Sequence, residues 1–195
     1  MPNLPAHIDL AFEAASQVNH PTLDANLGHY LLGCTSPDVR AITKRPREEY
    51  HFATLGVSQV GEGPKGLFEA HPNLINGSVK SPTRAFVAGY VTHLLLDEAW
   101  ILDFYRPYFG NSNVYNDEIQ GKIADRALQL ELDLMSMPTA SSAIHLIAEA
   151  QSPIDITFIA PEILVRWHKL VIDLVDRDFT WERLKFMARR IASGN

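Results

Sequence analysis

The chain has 195 residues, 46% of them hydrophobic and 21% charged, enough to bury a sizeable core within one domain spanning residues 1–195. That balance excludes a disordered or collagen-like chain, and a formal net charge of −6 argues against a general nucleic-acid or anionic-membrane binder. Cys34 is the only cysteine and closes no intramolecular disulfide, and Met1-Pro2-Asn3 lacks the basic start of a signal peptide, so a cytoplasmic location is expected.

From Leu4 to about Val18, Ile8, Ala11, Phe12 and Ala15 recur at three- and four-residue spacing behind Pro5, which predicts a helix. Asn19-His20-Pro21 breaks it. Thr22 is read as the cap of a second apolar segment, Leu23 to Leu32, that stops at Gly33, with Cys34 to Pro37 as loop. Arg40 to Glu49 holds a basic island, Lys44, Arg45 and Arg47, read as a solvated turn. Gly56 to Gly66, with four glycines and a proline, is read as a surface loop without the context of a phosphate-cradling motif.

Pro82 to about Tyr105 is the strongest predicted helix, with Phe86, Tyr90, His93, Asp97 and Trp100 on one face. Its apolar stretch, Ala85 to Leu96, is too short and too polar to span a bilayer, so an integral membrane protein is not expected. Asp117 to Met137 predicts a helix ended by Pro138, and Ser141 to Ala150 a shorter one. Pro161 to Val175 and Trp181 to Ile191 follow, while Ile154 to Ala160 looks strand-like but has no partner strand. The expected class is all-α.

His93 and Asp97 lie one turn apart, so their side chains point the same way and can grip one ion. The bland alternative is a buried histidine hydrogen-bonded to a carboxylate. The company shifts that balance: His7 sits among apolar neighbours, Asp38 ends Gly33-Cys34-Thr35-Ser36-Pro37-Asp38, and His51 is flanked by Tyr50 and Phe52. Imidazoles in apolar surroundings need partners.

In order and spacing these motifs resemble the zinc-dependent phospholipase C family, whose fold is shared with single-strand-specific zinc nucleases. The resemblance lies in His7 followed by Ala11, Ala14 and Ala15, the Gly33-to-Asp38 turn, the His51-Phe52 pair and the Gly89-to-Asp97 helix, and covers roughly residues 4 to 104. It implies an all-α bundle in which Asp38, His51, His93 and Asp97 enclose one metal ion while Asp97 bridges to a second held by His7. It also implies zinc, one to three ions, although manganese, iron or nickel accept the same donors. Two ions about 3.5–4 Å apart would activate water on a phosphoester, with Asp38 orienting that water or taking its proton.

The sequence departs from the family in two places. Secreted members complete the second site with the amino group of an N-terminal tryptophan, and this chain begins with methionine. The family's third metal uses a histidine six residues past the helix aspartate, where this chain has Asp103, and a later pair that His145 and Glu149 match in mutual spacing alone. His145 and Glu149 read more simply as a surface ion pair. His29 is read as a packed histidine near Asp38, His20 and His71 as exposed, and His168 as a surface residue. Arg40, Lys44, Arg45 and Arg47 are weighed as phosphate contacts against a solvated turn, and Tyr90, Trp100, Tyr105, Tyr108 and Phe109 as a hydrophobic entrance against core packing. The expected activity is a metal-dependent phosphoester hydrolase acting on a small phosphoester or a phospholipid head group, without stable nucleic-acid binding. The alternative is a non-catalytic protein of the same fold with a structural ion.

Overall fold

The structure, a computed structural model, describes residues 1–75, 79–110, 114, 115, 117–151 and 153–175. The predicted helix over 181–191 lies outside the described residues. The described chain is helical, with no strand in it. In order come α1 (Leu4–Val18), α2 (Pro21–Asp24), α3 (Leu27–Thr35), a 3-10 turn (Ser36–Val39), α4 (Arg40–Thr43), α5 (Glu48–His51) and α6 (Glu62–Ala70). A 3-10 turn (Pro72–Ile75), α7 (Ser81–Ala99), a π-helical continuation (Trp100–Phe109), α8 (Glu118–Glu149) and α9 (Pro161–Val175) complete it.

α1 begins where the sequence places it, with proline in its first turn and Asn19 closing it in the left-handed conformation. The second segment differs from expectation. His20, not Thr22, caps α2, its Nδ1 accepting the Thr22 N–H at 3.1 Å, and α3 runs on through Gly33 to Thr35 before the Ser36–Val39 turn. Gly33 is no helix stop: a Cβ there would strike the Phe86 carbonyl, and one on Gly89 would strike the Tyr30 carbonyl. These two glycines are the notches through which α3 and α7 lie backbone to backbone.

The core is one apolar cluster between α1, α3, α7, α8 and α9, with Ile8, Leu31, Phe86, Tyr90, Leu94, Ile147 and Trp167 buried in it. Of the described helices, Ser81–Phe109 alone is long and apolar enough to cross a membrane, and 61% of its most apolar window is buried against the rest of the protein. It reaches further than the stretch read from sequence because the helix continues past Asp97 into the π-turns.

α8 passes Pro138 without ending. Proline removes one helical hydrogen bond, but both sides of it are held by tertiary packing. Asp133 accepts a hydrogen bond from the Asn3 side chain at 2.6 Å, and the Leu146 backbone presses against Gly28 of α3. The segment 154–160 forms no ladder; the Asp155 N–H donates to Thr83 Oγ1 instead. His168 is half-buried, donating to the Ile147 carbonyl at 2.6 Å, since α9 packs over the end of α8.

Candidate metal centre

Four elements carry the candidate ligands to one place. α1 supplies His7, the 3-10 turn Asp38, α5 His51, and α7 both His93 and Asp97. The backbone contact at Gly33 and Gly89 brings the Cys34 carbonyl within 2.7 Å of His93 Nδ1. A carbonyl only accepts, so Nδ1 carries a proton and Nε2 is the nitrogen that faces inward. This is the outer hydrogen bond that metal-binding histidines habitually make.

The aromatic network sets His51. Tyr90 is fully buried and donates to the Tyr50 carbonyl at 2.6 Å, tying α7 to α5 beside His51. Phe52 ends α5 at φ 55 and turns its ring onto Tyr90, Phe158 and His71. Tyr90 is thus a core strut and no part of an entrance, and burial raises its phenol well above the usual value.

Inside the cluster the His7 and His93 rings stack, centroids 3.8 Å apart at 11°. His51 Nε2 lies 3.3 Å from His93 Nε2. Asp97 divides its oxygens: Oδ1 is 3.4 Å from His7 Nε2, while Oδ2 is 3.2 Å from His51 Nε2, 3.6 Å from His93 Nε2 and 2.8 Å from Arg47 Nη2. The donor atoms form two overlapping trios, His7-Asp38-His93 and His51-His93-Asp97, each within 4.8 Å. His93 is their common member, whereas the family pattern gives the shared role to Asp97. His7, His51, His93 and Asp97 are at most 2% exposed, and Asp38 is half-buried at the margin.

Burial, joined by the neighbouring His93, lowers the His7 pKa. Burial likewise drives His51 down to about 4. For His93 burial opposes protonation, but Asp97 more than offsets it and the net shift is upward. Asp97 itself is held well below the usual carboxylate range; burial resists, and His93 with hydrogen bonds from His51 and His7 overcomes it. His7 and His51 therefore present neutral imidazoles beside an ionised carboxylate, while Asp97 favours a proton on His93 that a divalent cation would have to displace.

His7 Nδ1 and His51 Nδ1 are buried without a hydrogen-bond partner, and His7 Nε2 and Asp97 Oδ1 have only each other, at 3.4 Å. Such atoms carry a desolvation cost that a cation between them would offset. Nitrogen and carboxylate donors of this kind fit zinc or a neighbouring transition metal.

Arg47 is the residue that the sequence reading placed wrongly. Arg40, Lys44 and Arg45 are exposed as expected of a solvated turn, but Arg47 is 8% exposed and points inward at Asp97. Its spacing of four from His51 was the available signal, because one helical turn puts both on the same side. The Cys34 thiol points to the Leu31 carbonyl, and burial pushes its pKa up, away from any nucleophilic state. Glu98, also missed, is buried and accepts the N–H groups of Gly61 and Gly63, capping α6. Gly61 has φ +107, which glycine adopts without strain, and the predicted loop becomes helix from Glu62. Asp103, His145 and Glu149 are exposed, and His29 is buried. His20 is exposed and His71 is half-buried.

No protein-family model matches the chain, no characterised protein matches it, and no solved structure matches it.

Proposed function

We propose that the protein is a metal-dependent hydrolase of phosphoesters, phospholipase C-like in its chemistry, built around His7, Asp38, His51, His93 and Asp97. The observation that supports this most is the convergence of three imidazoles and two carboxylates from four separate elements into two overlapping trios that share His93, with polar atoms left unpartnered. A purely structural histidine–aspartate pair needs neither the third imidazole nor the second carboxylate.

When bound, a divalent ion there would supply a water of lowered pKa and neutralise charge on a phosphoester oxygen. The chain's own residues do the rest. His93 offers Nε2 because Cys34 holds its other nitrogen. Arg47 donates to Oδ2 of Asp97 and keeps that carboxylate aimed. Asp38, the one ligand candidate with solvent access, is the acceptor for the proton of the attacking water.

The competing reading, a structural ion without turnover, draws on the near-complete burial of His7, His51, His93 and Asp97. Elemental analysis of tag-free protein purified without chelator, followed by hydrolysis of bis(p-nitrophenyl) phosphate with zinc or manganese, separates them. The hydrolase reading expects metal in the purified protein, turnover, and loss of both in His93→Ala with helical circular dichroism retained. Full metal content in His93→Ala overturns it. Tightly held metal with no turnover on a panel of phosphoesters leaves the structural ion.

A further inference from the structure

Immediately after Asp97 and Glu98 the helix widens. From Trp100 to Phe109 the chain is π-helical, closed by the Gly110 N–H on the Tyr105 carbonyl at 2.6 Å. π-Turns are rare and concentrate at functional sites. Beside this one lies a cavity of about 290 Å³ between the π-helix, the start of α8 and the loop after α5, close to the lower end of ligand pockets, roughly 300 Å³.

Two kinds of wall meet in it. Trp100, Ile101, Tyr105 and Leu55 form an apolar side, and the exposed Phe104 stacks on Trp100 with centroids 5.1 Å apart. Arg106, Lys122 and Arg126 form a cationic side, with Asp125 the one acid among the lining residues; Arg106 also donates to the Leu55 carbonyl and Arg126 to Gln129 Oε1. Both oxygens of Asp125 are already occupied, by Trp100 Nε1 at 3.0 Å and by Gln129 Nε2 at 2.7 Å. Lys122 pairs with Glu118 at 2.7 Å on the surface, a contact that costs little to exchange. In a chain of net charge −6 such a cationic wall selects an anion.

The same helix links the pocket to the candidate metal centre. Trp100 lies one turn beyond Asp97 on the same helix. Met1, which lines the pocket, has its amino group lowered to about 6 by burial, while Asp125 in the pocket wall and Asp97 in the centre both act on it in the opposite direction.

We propose that this pocket binds the apolar group of an anionic organic phosphate, an aryl or short-chain phosphoester, with Lys122 and Arg126 facing its phosphoryl end. The inference rests on the hydrolase reading for the fate of the phosphoryl group, and it narrows the substrate class to esters with an apolar side.

The test is calorimetric titration of the protein as purified with 1-naphthylmethylphosphonate, whose C–P bond resists hydrolysis, and with methylphosphonate. The naphthyl compound should bind at least about tenfold tighter, the advantage expected from burying an aromatic ring. Leu55→Glu, at an exposed position, should erase that advantage, and Lys122→Gln should weaken the naphthyl compound about fivefold with circular dichroism unchanged. Equal affinities in the parent protein, or an advantage that survives Leu55→Glu, overturn the pocket. Hydrolysis of 1-naphthyl phosphate then separates the two claims. Leu55-dependent binding without turnover in zinc or manganese upholds the pocket and removes the hydrolase. Turnover whose KM ignores Leu55→Glu upholds the hydrolase and removes the pocket.

Discussion

α7 and α8 both bury polar side chains at one-turn spacing, and the outcome differs. On α7, His93 and Asp97 meet side chains from three other elements in two overlapping trios, and several nitrogen and oxygen atoms remain unsatisfied. On α8, Asp125, Gln129 and Asp133 form a row along the helix, with Asp125 and Gln129 bonded to each other and the row to separate neighbours. Asp125 takes Trp100 and Gln129, and Asp133 takes Asn3. The first arrangement concentrates donors where an ion can use them. The second stitches α8 to the π-helix that continues α7 and to the chain before α1. Equal spacing in sequence therefore says nothing about which a helix carries; what the facing elements contribute decides it.

The comparison breaks first at Asp97. Asp97→Ala leaves Arg47 and three imidazoles buried without their counter-charge, and removing one partner of a buried ion pair costs about 3–5 kcal/mol. Denaturant unfolding of the metal-free variant should show that loss, together with loss of bound metal from the purified protein. Asp125→Ala on α8 removes hydrogen bonds from Trp100 and Gln129 and should cost only about 1–3 kcal/mol, with metal content unchanged. Equal costs, or metal lost from Asp125→Ala, would remove the distinction between site and seam.

Proton linkage gives the next effect. His7 and His51 are lowered in the folded state, so below their ordinary value of 6.5 the unfolded chain takes up protons that the folded chain refuses. Stability of the metal-free protein should fall as pH drops from about 6.5 to 4, with His51 contributing up to about 3 kcal/mol across that window. His93 is raised, so its contribution is fully present below 6.5 and fades as pH rises through its folded value. Added zinc should steepen the acid side, because protons and metal compete for the same nitrogens. Urea midpoints at pH 7, 5.5 and 4.5 would check this; a flat profile would mean that the imidazoles are open to solvent.

What the sequence made legible follows the same division. α1, α7 and α9 declare themselves through apolar periodicity, and His7, His93 and Asp97 stand out because polar groups interrupt an apolar face. Arg47 was masked, because a basic run with Lys44 and Arg45 reads as solvated, and only its spacing of four from His51 pointed inward. The continuity of α8 through Pro138 was equally hidden, since a local hydrogen-bond deficit is outweighed by packing against α1 and α3 that no window of sequence contains. Gly33 reads alike as a helix stop and as a packing notch until its partner Gly89 is known.

The smallest effect tests how the centre is held. Gly89→Ala puts a methyl group against the Tyr30 carbonyl and the Cys34 amide nitrogen, so α3 and α7 must separate. Overpacking of this kind costs about 1–3 kcal/mol, and the protein should remain folded. The separation pulls the Cys34 carbonyl from His93 Nδ1 and frees the imidazole to change tautomer or rotate. Metal affinity should then fall about 10- to 100-fold, the usual cost of losing an outer-sphere partner, although no ligand has been altered. Val87→Ala, a buried truncation on the same helix, serves as the control for stability alone. If both variants lose stability and only Gly89→Ala loses metal, the backbone contact between α3 and α7 is what orients the ligand; if both keep their metal, His93 is held by the cluster itself.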